Sequence, residues 1–166
     1  LKEFKKKQKN RVVKWPSRVA DENPVEHLIE TYRLMLPGKK VTPLIFNSPS
    51  KDFDTDKLNA YVARSAKKYK LPSLMLCRPE WSAEEFALKL KEGNFLGAKP
   101  YLTFAPSCIP AKEIRIFDFM PHHQLSVLNR HGKILILHIP RDARLKDPVN
   151  LEQMLEEAEG TVMENS

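Results

Sequence analysis

Hydrophobic and polar positions along this chain fall into two alternating textures. Between Asn23 and Leu36, apolar residues recur at helical spacing (Val25, Leu28, Ile29, Tyr32, Met35 and Leu36), with Asn23 suited to an N-cap and Pro24 to the first helical position. "VTPLIF" (41–46) reads instead as a short buried strand. "DTDKLNAYVARSAKKY" (54–69) returns to helical spacing, with Leu58, Val62, Ala66 and Tyr69 on one face, and "LPSLMLCR" (71–78) is a second apolar strand. In "WSAEEFALKLKEG" (81–93), Ser82 and Glu85 fit a capping box and Gly93 a helix stop. "NFLGAKPYLTF" (94–104) predicts a third strand, followed by a loop over 105–120. A helix then starts at Pro121 and stops at Gly132, "KILILHIP" (133–140) is a fourth strand, and "NLEQMLEEAE" (150–159) is a final amphipathic helix.

Strands that are apolar on both faces and separated by helices predict parallel pairing with crossover connections. An open doubly wound sheet and a (β/α)8 TIM-type barrel both have this rhythm. The five glycines, at 38, 93, 97, 132 and 160, spell neither GxGxxG nor GxxxxGK, which removes the usual nucleotide fingerprints and favours the barrel. An eight-unit barrel takes ~250 residues, so a chain of 166 is expected to supply about four βα units, a partial barrel belonging to a longer protein. The expected domain layout is a basic arm over 1–22, the partial barrel over 23–159 and a short tail over 160–166.

Composition narrows the class further. The longest apolar runs are far shorter than the ~20 residues that span a bilayer, so no membrane association is expected. The basic N-terminal residues lack the apolar core of a secretory signal, and Cys77 and Cys108 have no CxxC spacing, so a reducing cytoplasm is the expected compartment. Net charge is +7, and much of it is local, because "LKEFKKKQKNRVVKWPSR" is dense in lysine and arginine against a single Glu3. Such an arm suits a solvated segment or an anionic partner. No nucleic-acid-reading motif accompanies it, so nucleic acid is not the expected partner. Self-association as a homo-oligomer stays open.

Ligands in parallel α/β folds gather at the carboxyl ends of the strands. The residues there are Asn47, Arg78, Lys99 with Tyr101, and His138 followed by Arg141 and Arg144. Alternation puts Phe95, Gly97, Lys99 and Tyr101 on one face of their strand, and Ile134, Ile136 and His138 on one face of theirs. Lys99 and His138 are thereby predicted to share a rim. A histidine in that place suits a metal ligand or a general base, or else a hydrogen-bonded core position. Lys99 could pair with an anionic substrate, act as a base once desolvated, hold a metal if carbamylated, or serve in a salt bridge. Arg78, Tyr101 and Arg141 are candidates to orient a small anionic substrate, although arginines so placed also brace loops against acidic neighbours such as Glu80. Adjacent His122 and His123 point about 100° apart on a helix and read as caps or surface residues.

The segments "PGKKVTPLIF", "NAYVARSAKKYKLPSLMLCRPEWSAEE", "FLGAKPYLTFAP", "EIRIFDFMPHHQLSVLNRHGKILILHIPR" and "LKDPVNLEQM" together resemble the middle of a metal-dependent hydrolase of the amidohydrolase superfamily. The branch resembled includes decarboxylases of aromatic and amino-muconate acids. The resemblance implies a barrel enzyme with a divalent metal, usually zinc, that activates a water or polarises a substrate oxygen. In that family a His-x-His pair on the first strand, histidines ending the fifth and sixth, and an aspartate on the eighth hold the metal. His138 matches the fifth-strand ligand, and Lys99 falls on the fourth strand, where some branches carry a metal-bridging carboxylated lysine. This sequence contains no His-x-His, so His138 alone transfers as a metal ligand. Hydrolysis, decarboxylation and a catalytically inactive segment acting as a binding module are the readings that follow.

Overall fold

The computed structural model describes residues 24–111 and 113–138, which fall into two units divided between Val41 and Thr42. The first unit contains helix α1 (Val25–Met35). Pro24 stands at its N-cap position, where a missing N–H costs nothing. Of the predicted apolar stripe, Val25 is buried and Leu28, Ile29 and Tyr32 are half-buried, whereas Met35 and Leu36 are exposed. Asn23, the predicted cap, lies outside the described residues, as do the basic arm and the predicted helix over 150–159.

The second unit runs α2 (Thr55–Tyr69), β1 (Leu74–Leu76), α3 (Ala83–Glu92), β2 (Gly97–Lys99), α4 (His122–Arg130) and β3 (Ile134–Leu135). Sequence chemistry accounts for the helix ends. The Asp54 carboxylate accepts from Asp56 N and Lys57 N at 3.0 and 3.2 Å, capping α2, which closes on Lys70 in the left-handed region. Ser82 Oγ accepts from Glu85 N at 3.2 Å, so the predicted cap of α3 forms, and Gly93 ends that helix. Gly132, at φ +57°, turns the chain from α4 into β3, a conformation that a side chain would strain.

β1, β2 and β3 lie side by side in chain order and all parallel, with Leu74 opposite Gly97, Leu76 opposite Lys99 and Gly97 opposite Ile134. Leu74, Met75 and Leu76 are completely buried, which is why β1 reads as an unbroken apolar run. The helices supply Val62, Phe86, Leu90, Leu125 and Leu128 to the core. The long loop between β2 and α4 is not a polar excursion: it buries Ile114, Ile116, Phe119 and Met120 and holds 3-10 turns at Leu102–Phe104 and Ile116–Asp118.

Parallel pairing follows the prediction, but the barrel does not. The expected partial (β/α)8 barrel of about four βα units is overturned by a sheet of three strands, two or three residues long, among the described residues. Closing a barrel needs about eight staggered, tilted strands. Here the predicted strand 41–46 contributes a single parallel bridge, Ile45 to Ser73. Pro43 cannot donate to a ladder, which shortens that pairing. Beyond it the edge of β1 is met by a side chain: Asn59 of α2 accepts from Leu76 N at 2.9 Å and donates to Leu76 O at 2.7 Å. No described helix is long and apolar enough to cross a membrane.

Candidate functional site

Two groups of predicted site residues occupy different places. The first forms where β2 and β3 end. Lys99 closes β2, and its Nζ lies 4.3 Å from the centroid of the Tyr101 ring and 5.9 Å from that of Phe46. The Tyr101 ring in turn meets the imidazole of His138, with centroids 5.7 Å apart and planes tilted by 40°. Lys99, Tyr101 and His138 thus share one rim, as alternation along the strands predicts. Lys99 is 4% exposed, Tyr101 is half-buried and His138 is exposed, so the cluster runs from the interior to the surface.

Among the described residues, the Lys99 ammonium has no hydrogen-bond partner. An amine with three donors is usually buried only when paired, and the two rings offer quadrupoles rather than lone pairs. Burial therefore pulls the Lys99 pKa below the usual lysine range, against a smaller opposing pull from neighbouring Cys77. Cys77, fully buried at the end of β1, is pushed up to about 12 by the same loss of water and stays a thiol at neutral pH. Burial likewise raises the pKa of Tyr101, which keeps its phenol protonated.

Arg78 belongs to the second place. Its Nε and Nη2 donate to Glu80 Oε1 at 2.9 and 2.7 Å, and its guanidinium lies 4.6 Å from the centroid of Phe104. It lines a cavity of about 640 Å³ with Lys51, Glu80, Phe104 and Ser107, to which Lys99, Tyr101 and His138 do not contribute. The loop carrying Arg78 is held from α4: Gln124 Nε2 donates to Arg78 O at 2.7 Å and to Trp81 O at 3.0 Å. Arg141 and Arg144 lie outside the described residues.

The two adjacent histidines diverge as helical geometry requires. His122 stacks on Phe117 with centroids 3.7 Å apart, and His123 Nε2 donates to Trp81 O at 2.9 Å. Cys108 is exposed. Among the described residues there is no group of three His, Cys, Asp or Glu side chains that could hold a metal ion, and a zinc site needs three protein ligands. The described residues therefore do not make up a zinc centre around His138.

Sequence reasoning did not single out Phe46, Asn59 or Gln124. Phe46 had one available signal, as the last aromatic residue of an apolar run aimed at the same rim. Asn59 and Gln124 had another, since each is a polar residue at a core-facing helical position beside Val62 or Leu128. No family model, curated protein or solved structure matches this chain.

Proposed function

We propose that the chain is an enzyme acting on a small anionic substrate, taken up at the strand-end cluster of Lys99, Tyr101 and His138. One observation carries this reading: among the described residues the buried Lys99 amino group has no hydrogen-bond partner, at the carboxyl end of a strand in a parallel sheet. An unpaired cation in that place is costly for folding, and a bound carboxylate or phosphate would supply the missing acceptor. Tyr101, held protonated, would donate to the same anion. The resemblance read from the sequence to amidohydrolases would make the reaction a hydrolysis or, in the same superfamily, a decarboxylation. Because the described residues do not form a metal centre, no step is assigned to an ion; His138 is the ligand that reading would use.

Calorimetric titration of the chain with propionate or inorganic phosphate tests the anion site. Binding is expected, with loss of about tenfold or more in affinity for Lys99→Met, equivalent to the ~1.4 kcal/mol of one charge-assisted contact. Equal affinity in Lys99→Met would sink the reading. Elemental analysis of the purified protein tests the metal arm: bound zinc that disappears in His138→Ala supports it, and zinc unaffected by that change removes His138 as a ligand.

A further inference from the structure

The geometry points to Lys99 as a covalent site for a small carbonyl compound, an aldehyde or a 2-oxo acid, held as a Schiff base on Nζ. This rests on reading the cluster as a substrate site and goes beyond anion binding by naming the substrate's reactive group.

Three observations converge on this atom. Among the described residues, Lys99 Nζ makes no hydrogen bond and meets no carboxylate that would hold it as a salt-bridged ammonium. Its burial beside the Tyr101 and Phe46 rings takes water from the charged amine and favours the neutral, nucleophilic one, a loss that outweighs the opposing pull of Cys77. Tyr101, whose ring lies 4.3 Å from the amine, is itself half-buried and borders the exposed His138, which puts the amine one side chain from the rim.

The chemistry balances without an oxidant or reductant. The Nζ lone pair forms a bond to the carbonyl carbon as the C=O π pair moves onto oxygen. A proton passes from nitrogen to that oxygen, and the carbinolamine expels water to leave C=N. Protonated, the iminium restores a positive charge where the ammonium was disfavoured, and the carboxylate of a 2-oxo acid would neutralise it. The phenol of Tyr101 is a protonated donor beside the amine, and His138 is an imidazole able to exchange the proton with water.

Reductive trapping tests this on the whole chain. The protein is treated at pH 7 with cyanoborohydride and either glyoxylate, which carries carbonyl and carboxylate, or propanal, which carries the carbonyl alone, and adducts are mapped by peptide mass spectrometry. Adduct at Lys99 is expected to form faster than at exposed Lys57 and Lys67, because a lowered pKa leaves more of the Lys99 amine neutral. Labelling spread evenly over surface lysines, or absent from Lys99, overturns the proposal. The anion reading fails separately. Propionate binding without trapping at Lys99 leaves the anion site standing and the Schiff base refuted, whereas trapping by propanal without propionate binding does the reverse.

Discussion

At the scale of a residue, the role proposed for Lys99 is set against its cost to stability. Its folded pKa lies below the unfolded value, ~10.4 for a solvated lysine. Below the depressed value the amine is charged in both states, so the native state bears the whole desolvation cost. As pH rises through the window between the two values, the native state releases its proton first and that cost is relieved. The unfolded chain binds more protons throughout the window, so stability rises with pH there. Lys99→Met should therefore raise the melting temperature at pH 5.5, with the gain shrinking toward zero by pH 10.5. Cys77, Tyr101 and Phe46 face the amine in both proteins, so the difference isolates Lys99. A gain unchanged between the two pH values, or a loss at pH 5.5, would show that the amine is not under desolvation strain. Lys99 and Tyr101 were legible from the sequence because strand-end position and period-two alternation are local rules. Phe46 had a signal at the end of its apolar run, but its approach to Lys99 is set by tertiary placement of a segment with one bridging residue.

At the scale of an element, the outer edge of β1 is met by a side chain where a strand could stand. Asn59 presents an amide to both backbone groups of Leu76 and stands in for a neighbouring strand. Asn59→Leu keeps the volume but orphans a buried donor and acceptor, each worth ~1–3 kcal/mol when left unsatisfied. A loss of about 2–4 kcal/mol in urea unfolding is expected; less than ~1 kcal/mol would mean that water replaces the amide. Gly97 works on the opposite side. A Cβ there would run into the Ile134 carbonyl, so β3 can pair with β2 only because that position has no side chain. Gly97→Ala should push β3 away and cost ~3 kcal/mol or more, at the upper end for overpacking, seen as lost amide protection at Ile134 and Ile136. Protection there equal to the parent's would show that the strands adjust. Periodicity located these elements correctly in sequence, since β1, β2 and β3 fall inside the three predicted apolar runs. It overestimated their length, because an apolar run records burial, whereas strand length depends on a partner being alongside. That same excess made four long strands and hence a barrel.

At the scale of the whole molecule, charge is distributed unlike chemistry. Lys2, Lys5, Lys6, Lys7, Lys9, Arg11, Lys14 and Arg18 against Glu3 account for the entire net charge of +7, which leaves residues 19–166 neutral. Any anion that reaches Lys99 is therefore drawn there by local charge, unless the arm steers it from a distance, and at physiological salt that reach is about 8 Å. Deleting residues 1–18 separates the two contributions. The truncated chain should no longer be retained on a cation exchanger at pH 7. Its tendency to associate should rise, because net charge near zero removes the repulsion between copies. Propionate affinity at the Lys99 cluster should stay within about twofold of the parent, because one desolvated amine decides it. If the truncation instead weakens propionate binding tenfold, and does so only at low salt, the arm supplies the attraction, and the neutral body that follows it does not bind anions by itself.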